Sequence, residues 1–271
     1  MGKIKFEDKF SIKDLGDFIL QGIWEVGDYL FISAYDSSEK KENSIIYIVN
    51  KNYEVIKKTS LDNNSHVGGI CYDKEHDIFW ITDKKGTISG YCYDDIFNKD
   101  VVRPKYKKVD VGSCDLLNYK NSPSVAYICY FDKRLFLGNY SKTNNGILKE
   151  FRIKDDGSID LSSEKKYLFF DNVQGLYLYK KEDEIYLLVS TSFGRYKKSI
   201  LKVLKYEDCN SYLDKSFINI DMPPMMEQII VSKDNKLISL YESNGIKYKT
   251  FFNKNEDVCI VDIDKIISNR V

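Results

Sequence analysis

Proline is scarce in this chain, with 4 in 271 residues, and there are only 2 histidines and 2 tryptophans. Few prolines leave nearly every backbone N–H free to pair, which suits a fold of many short strands. The six cysteines, Cys71, Cys92, Cys114, Cys129, Cys209 and Cys259, include no Cys-x-x-Cys pair, so neither a disulfide framework nor a cysteine zinc site is indicated. Charge of one sign is also missing: 41 Lys plus Arg balance 41 Asp plus Glu, and no overall field steers the protein toward nucleic acid or an anionic membrane. No run approaches the 18 or so apolar residues of a membrane span, and the charged start Met1 to Asp8 lacks the apolar stretch of a signal peptide. Met1-Gly2 begins like a myristoylation signal, but Phe6 stands where that motif needs Ser or Thr. A cytoplasmic, soluble protein with no nucleic-acid or membrane partner is expected. Glycine-rich phosphate loops, Gly-x-Gly-x-x-Gly and Gly-x-Ser-x-Gly are all absent.

What the chain does have is 21 Tyr, 15 Phe and an internal repeat. Gln21-Gly22, His66-Val67-Gly68-Gly69, Pro123-Ser124, Val173-Gln174-Gly175 and Met226-Glu227-Gln228 each open a group of short apolar strands separated by polar turns. A period of roughly 45 to 58 residues with about four strands per unit predicts an all-β, five-bladed β-propeller, four antiparallel strands per blade. Residues 1–271 then form one domain, read as a monomer. The fifth unit runs out of chain after Val258 to Ile263, while Lys3 to Phe10 is a strand without a unit. The N-terminal strand is therefore expected to complete the last blade and remove an exposed edge. Cys71 and Cys129 occupy matching inner-strand positions and read as small buried residues.

In such a blade the start of the first strand and the end of the second share a face. That rule gathers Gln21, His66, Ser124, Gln174, Glu227 and Gln228 at the channel mouth, with Asp36, Asp83, Tyr140, Arg195, Glu242 and Ser243 around them. A concave surface this rich in donors, acceptors and both charge signs fits a small polar ligand; wet channel walls would also carry polar residues. His66, Glu227 and Glu242 are the candidate acid/base groups, because two close carboxylates raise the pKa of one and imidazole titrates near neutrality. His76 sits in a polar hairpin turn and reads as solvent-exposed. No cofactor is expected. A metal held by His66 with Asp36, Asp83, Glu227 or Glu242 is chemically allowed, though no local ligand spacing supports it.

Read together, Gln21-Gly22, Leu30 to Tyr35, Ser44 to Val49, His66 to Ile70, Pro123-Ser124, Val173-Gln174-Gly175, Ser192 to Arg195, Pro223 to Glu227 and Tyr241-Glu242-Ser243 resemble a family of bacterial five-bladed propellers of unassigned function. The resemblance covers most of the chain and implies the fold but no substrate. A weaker similarity is to the plant-type glutaminyl cyclases, carried by Gln21-Gly22 and Glu242-Ser243. It implies cyclisation of N-terminal glutamine around a central site, although the first blade here has Tyr35-Asp36-Ser37 at its strand end and only Trp24 and Trp80 could line an aromatic pocket. Three classes of function follow: a ligand-binding propeller, an enzyme, or a scaffold that recruits another protein.

Overall fold

The computed structural model describes residues 4–84, 86–112, 125–142, 144–242, 248, 255 and 258–267. Alternating apolar residues fold them into five sheets that follow one another along the chain. The first blade holds β2 (Phe18–Val26), β3 (Tyr29–Asp36), β4 (Ile45–Val49) and β5 (Val55–Leu61), and the second β6 (Ile70–Asp73), β7 (Ile78–Thr82), β8 (Thr87–Cys92) and β10 (Tyr106–Asp110). The third holds β11 (Val125–Phe131), β12 (Arg134–Asn139), β13 (Gly146–Ile153) and β14 (Ile159–Phe169). The fourth holds β15 (Val173–Lys181), β16 (Glu184–Thr191), β17 (Ser199–Lys205) and β18 (Ile218–Met222). The fifth combines β19 (Met226–Val231), β20 (Lys236–Tyr241) and β21 (Val258–Asp262) with β1 (Asp8–Phe10). Contacts between β2, β6, β11, β15 and β19 run round a closed ring, so the fold is a five-bladed β-propeller.

Closure by the N-terminal strand is as expected, but with three residues: Asp8 faces Ile260, Lys9 faces Cys259 and Phe10 faces Val258. Two further contacts hold it. Phe10 stacks on Tyr53 of the first blade, ring centroids 4.3 Å apart, and the Glu7 carboxylate pairs with Lys236 at 2.8 Å. Two elements depart from the sequence reading. After β8 the chain turns into a short helix α1 (Tyr93–Asn98), and β9 (Val101–Val102) then pairs parallel to β5, giving the first blade a fifth strand. The segment after β21 is a helical turn, α2 (Asp264–Ile267).

The channel is filled. Gln228 is fully buried, and its amide reaches from the fifth blade to the first and second: Oε1 accepts the Ile23 and Ile70 N–H groups at 3.2 and 3.0 Å, and Nε2 donates to the Ile70 carbonyl at 2.7 Å. The matching positions of the first and fourth blades are Gly22 and Gly175, and both must be glycine. A Cβ on Gly22 would stand 2.6 Å from Ser33 Oγ and 2.9 Å from Gln228 Oε1, and one on Gly175 2.7 Å from the Gln228 Cα. One layer further along the strands, Trp24 of the first blade meets Tyr177 of the fourth across the channel at 5.4 Å. Cys71 and Cys129 belong to this layer. Both are fully buried free thiols whose ionisation burial suppresses, and five cysteines are free among the described residues.

Two measurements check this architecture. Deleting residues 1–12 exposes the edge of β21 and should lower the melting temperature by many degrees or cause aggregation; a truncated chain that melts like the full one would contradict closure. Gln228→Leu leaves two N–H groups and a carbonyl buried without partners, and denaturant unfolding should register a loss of about 3 kcal/mol or more.

Candidate functional site

The mouth of the channel is built by a backbone irregularity that recurs from blade to blade. Between the first two strands the register slips at Leu20/Gly22, Val125/Tyr127, Val173/Gly175 and Met226/Ile229. Such a bulge inserts an unpaired residue and re-aims its side chain. The inserted residues are Gln21, Ala126, Gln174 and the Glu227-Gln228 pair. Hydroxyls on the second strands satisfy the disturbed backbone: Ser33 Oγ accepts the Gly22 N–H at 3.0 Å, Thr82 Oγ1 accepts the Gly69 N–H at 3.0 Å, and Ser190 donates to the Glu227 carbonyl at 2.6 Å. Val67 is held at φ +47°, a strained conformation for a β-branched residue, with its carbonyl accepting the Ser33 hydroxyl at 2.9 Å.

These devices bring together much of what the sequence singles out. The Gln174 amide donates to Glu227 Oε1 at 3.0 Å, and the Gln21 amide reaches Glu242 Oε2 at 3.5 Å. Glu227 is buried to 2% exposure. Its carboxyl is pushed well above the usual carboxylate range, first by burial and then by the charge of Glu242, with the Gln174 hydrogen bond opposing. Three tyrosines surround the two acids. Tyr35 is raised to about 12 by burial and then by Glu242 and Glu227. Tyr140 is raised by burial and the same two charges, and its hydroxyl donates to Asn172 Oδ1 at 3.2 Å. Tyr248, hydrogen-bonded to Glu242, is raised by burial and by that carboxylate. His66 is exposed and lies against the Tyr35 ring at 4.2 Å, while the Arg195 guanidinium covers the Tyr248 ring at 4.7 Å.

Other residues named from the sequence stand elsewhere. Gln228 lies deeper in the channel, with its amide committed to backbone groups of other blades. Asp36 turns away from the mouth and caps a loop, accepting the Ser38 and Glu42 N–H groups at 2.8 and 2.7 Å and the Ser38 hydroxyl at 2.7 Å. Asp83 accepts the Lys84 N–H at 2.7 Å and the Ser89 hydroxyl at 3.0 Å within its own blade. Ser124 and Ser243 lie outside the described residues. Among those described, no three His, Cys, Asp or Glu side chains gather as a metal cluster. His76 is half-buried rather than exposed: Nδ1 meets Asp73 at 2.7 Å and Nε2 meets the Asp155 carbonyl of the next blade at 3.2 Å.

Tyr35 and Tyr248 are the members that sequence reasoning missed. Alternation along β3 places Tyr35 and Asp36 on opposite faces, paired with Ile19 and Phe18, so a choice of Asp36 for the mouth excluded its neighbour. Tyr248 follows the strand end by several residues, beyond any hairpin rule.

No family model matches the sequence, and no curated protein matches it. Solved structures match in shape alone. One is the phage phi92 endosialidase, at 10% identity over 90% of this chain and 56% of that one, TM-score 0.53. Others are the RRP9 WD40 repeats (9% identity, 90% and 94% covered, TM-score 0.50) and the PQQ-bound aldose sugar dehydrogenase of Streptomyces coelicolor (11% identity, 94% and 96% covered, TM-score 0.50). At such identities the likeness is one of fold, and the chain is similar to propellers of several unrelated activities.

The buried acid has a measurable consequence. Glu227 in the folded protein holds its proton above the ordinary value of 4.5, whereas the unfolded chain has lost it. The native state therefore binds more protons than the unfolded state over that window, and stability falls as pH rises through it, with a limiting slope of about 1.4 kcal/mol per pH unit. Thermal melts from pH 4.5 upward should show this decline in the wild type, and Glu227→Gln should flatten it. A variant with the same decline would show that Glu227 ionises normally.

Proposed function

We propose that the chain binds a small polar ligand at this channel mouth, in contact with Glu242, Gln21, Gln174 and the surrounding tyrosines. The observation that carries the reading is the recurring bulge, which presents Gln21, Gln174 and Glu227 at one end of the ring. Two carboxylates, two amides and aromatic rings suit a ligand that donates hydrogen bonds, such as an amine or amide. Arg195 and His66, at the rim, would take its acceptor groups. No metal or other cofactor enters the reading. Among the described residues five cysteines stand outside any disulfide, which supports action as a cytoplasmic protein, and the mouth needs no second copy.

A second reading, acid–base catalysis of the cyclase or hydrolase kind, is favoured by one specific observation. Burial and the charge of Glu242 push the Glu227 carboxyl well above the usual carboxylate range, and such a pair can give up one proton and accept another. The motif resemblance to the plant-type glutaminyl cyclases falls on the same place. Gln21 and Glu242 come from opposite ends of the chain, but the first and fifth blades are neighbours in the ring, and the two side chains meet at 3.5 Å.

A thermal-shift screen of amines, amides, amino acids and short peptides, one of them beginning with glutamine, tests both readings. The ligand-binding reading expects a hit that raises the melting temperature of the wild type and loses about ten-fold in affinity in Glu242→Gln. The catalytic reading further expects the glutamine peptide to release ammonia, seen by mass spectrometry, in the wild type and not in Glu227→Gln. Absence of any hit, or a hit indifferent to Glu242→Gln, contradicts the binding site.

A further inference from the structure

The layer of Trp24 and Tyr177 that fills the channel has a second side. Beyond it, at the ends of the inner strands, lies a cavity of about 420 Å³ walled by Trp24, Glu25, Tyr130, Tyr177, Lys180 and Lys233, among others. A second lobe of about 610 Å³ shares Trp24, Glu25, Tyr130 and Lys180. Both volumes fall in the range that holds a small organic molecule. With Gln228 buried between them, this cavity and the mouth described above occupy opposite ends of a filled channel.

Its charges are unevenly used. Glu25, half-buried, accepts the Lys233 N–H at 2.7 Å, and the Lys233 ammonium is committed to Asp28 and to the Gly27 carbonyl at 3.0 Å. The Tyr130 hydroxyl donates to Glu75, and the Tyr177 hydroxyl to the Val231 carbonyl at 3.0 Å. The exposed ammonium groups of Lys180, which lines both lobes, and of Lys74, which lines the second, have no ion-pair or side-chain hydrogen-bond partner among the described residues. An uncommitted ammonium beside aromatic rings attracts an anion that brings a flat apolar body with it. Lys180 is the lysine that lines both lobes, and with no arginine fork in either lining it answers a single negative charge better than a phosphate dianion.

We propose that this opposite mouth is a second ligand site, specific for a small aryl carboxylate, with the carboxylate on Lys180 and the ring against Trp24, Tyr130 and Tyr177. The site is independent of the reading given above for Glu227 and Glu242.

Calorimetric titration of the full chain with benzoate and phenylacetate, against their neutral partners benzamide and phenylacetamide, tests the proposal. The carboxylates should bind about ten-fold more tightly than the amides. Their binding should alter tryptophan emission, because Trp24 forms the cavity floor while Trp80 is sealed in the core. Lys180→Met should erase the preference without changing the melting temperature, and Lys180→Arg should restore it. Failure of all four probes to bind, equal binding of acids and amides, or a preference that survives in Lys180→Met would overturn the assignment.

Discussion

Everything in this molecule is arranged around an axis too narrow for five ordinary side chains. Closing five twisted sheets into a ring brings their inner strands together, and the contact layer holds Gly22 and Gly175 where a Cβ would collide with neighbouring atoms. The fifth blade places Gln228 in the space those glycines leave. A side chain there must be polar, because the approach exposes N–H and carbonyl groups of Ile23 and Ile70 that no strand pairing satisfies, and an amide supplies both an acceptor and a donor. The buried amide is thus a consequence of ring closure, and it ties three blades to one another.

The bulges follow from the same geometry. An inner strand that ran on with regular pairing would keep its alternation up to the rim, whereas one extra residue turns a side chain out of the sheet. Where that residue is Gln21, Gln174 or Glu227, the outcome is a ring of polar groups at that end. Glu227 has little water around it, and Glu242 adds a like charge, so the acid keeps its proton where an exposed carboxylate would lose it. Toward the other end the first and fourth inner strands pair regularly through Trp24 and Tyr177, and the channel closes on these two rings. The two ends of one channel therefore differ in chemistry because they differ in backbone regularity.

Much of this was legible in the amino-acid sequence. Recurring openings at Gln21-Gly22, His66 to Gly69, Val173 to Gly175 and Met226 to Gln228 identify the blades, and the orphan N-terminal strand identifies the closure. The rule that first-strand starts and second-strand ends share a face located Gln21, Tyr140, Gln174, Glu227 and Glu242. It fails where one residue matters: β3 alternates regularly, and the rule picks Asp36 where its neighbour Tyr35 faces the acids. Sequence spacing gave no hint that Gln228 would spend its amide on backbone groups, because the partners lie 158 and 205 residues away. The Lys180 cavity was equally invisible, since it depends on which lysines find carboxylates in the folded chain.

The account rests most directly on the protonation state of Glu227, and one spectroscopic titration addresses it. Carboxyl-carbon NMR of protein labelled only at glutamate follows each carboxyl as pH is raised. One resonance should keep the shift of a neutral acid to clearly higher pH than the exposed glutamates do, and it should disappear in Glu227→Gln. A spectrum in which every glutamate titrates together in the ordinary carboxylate range would contradict the raised Glu227.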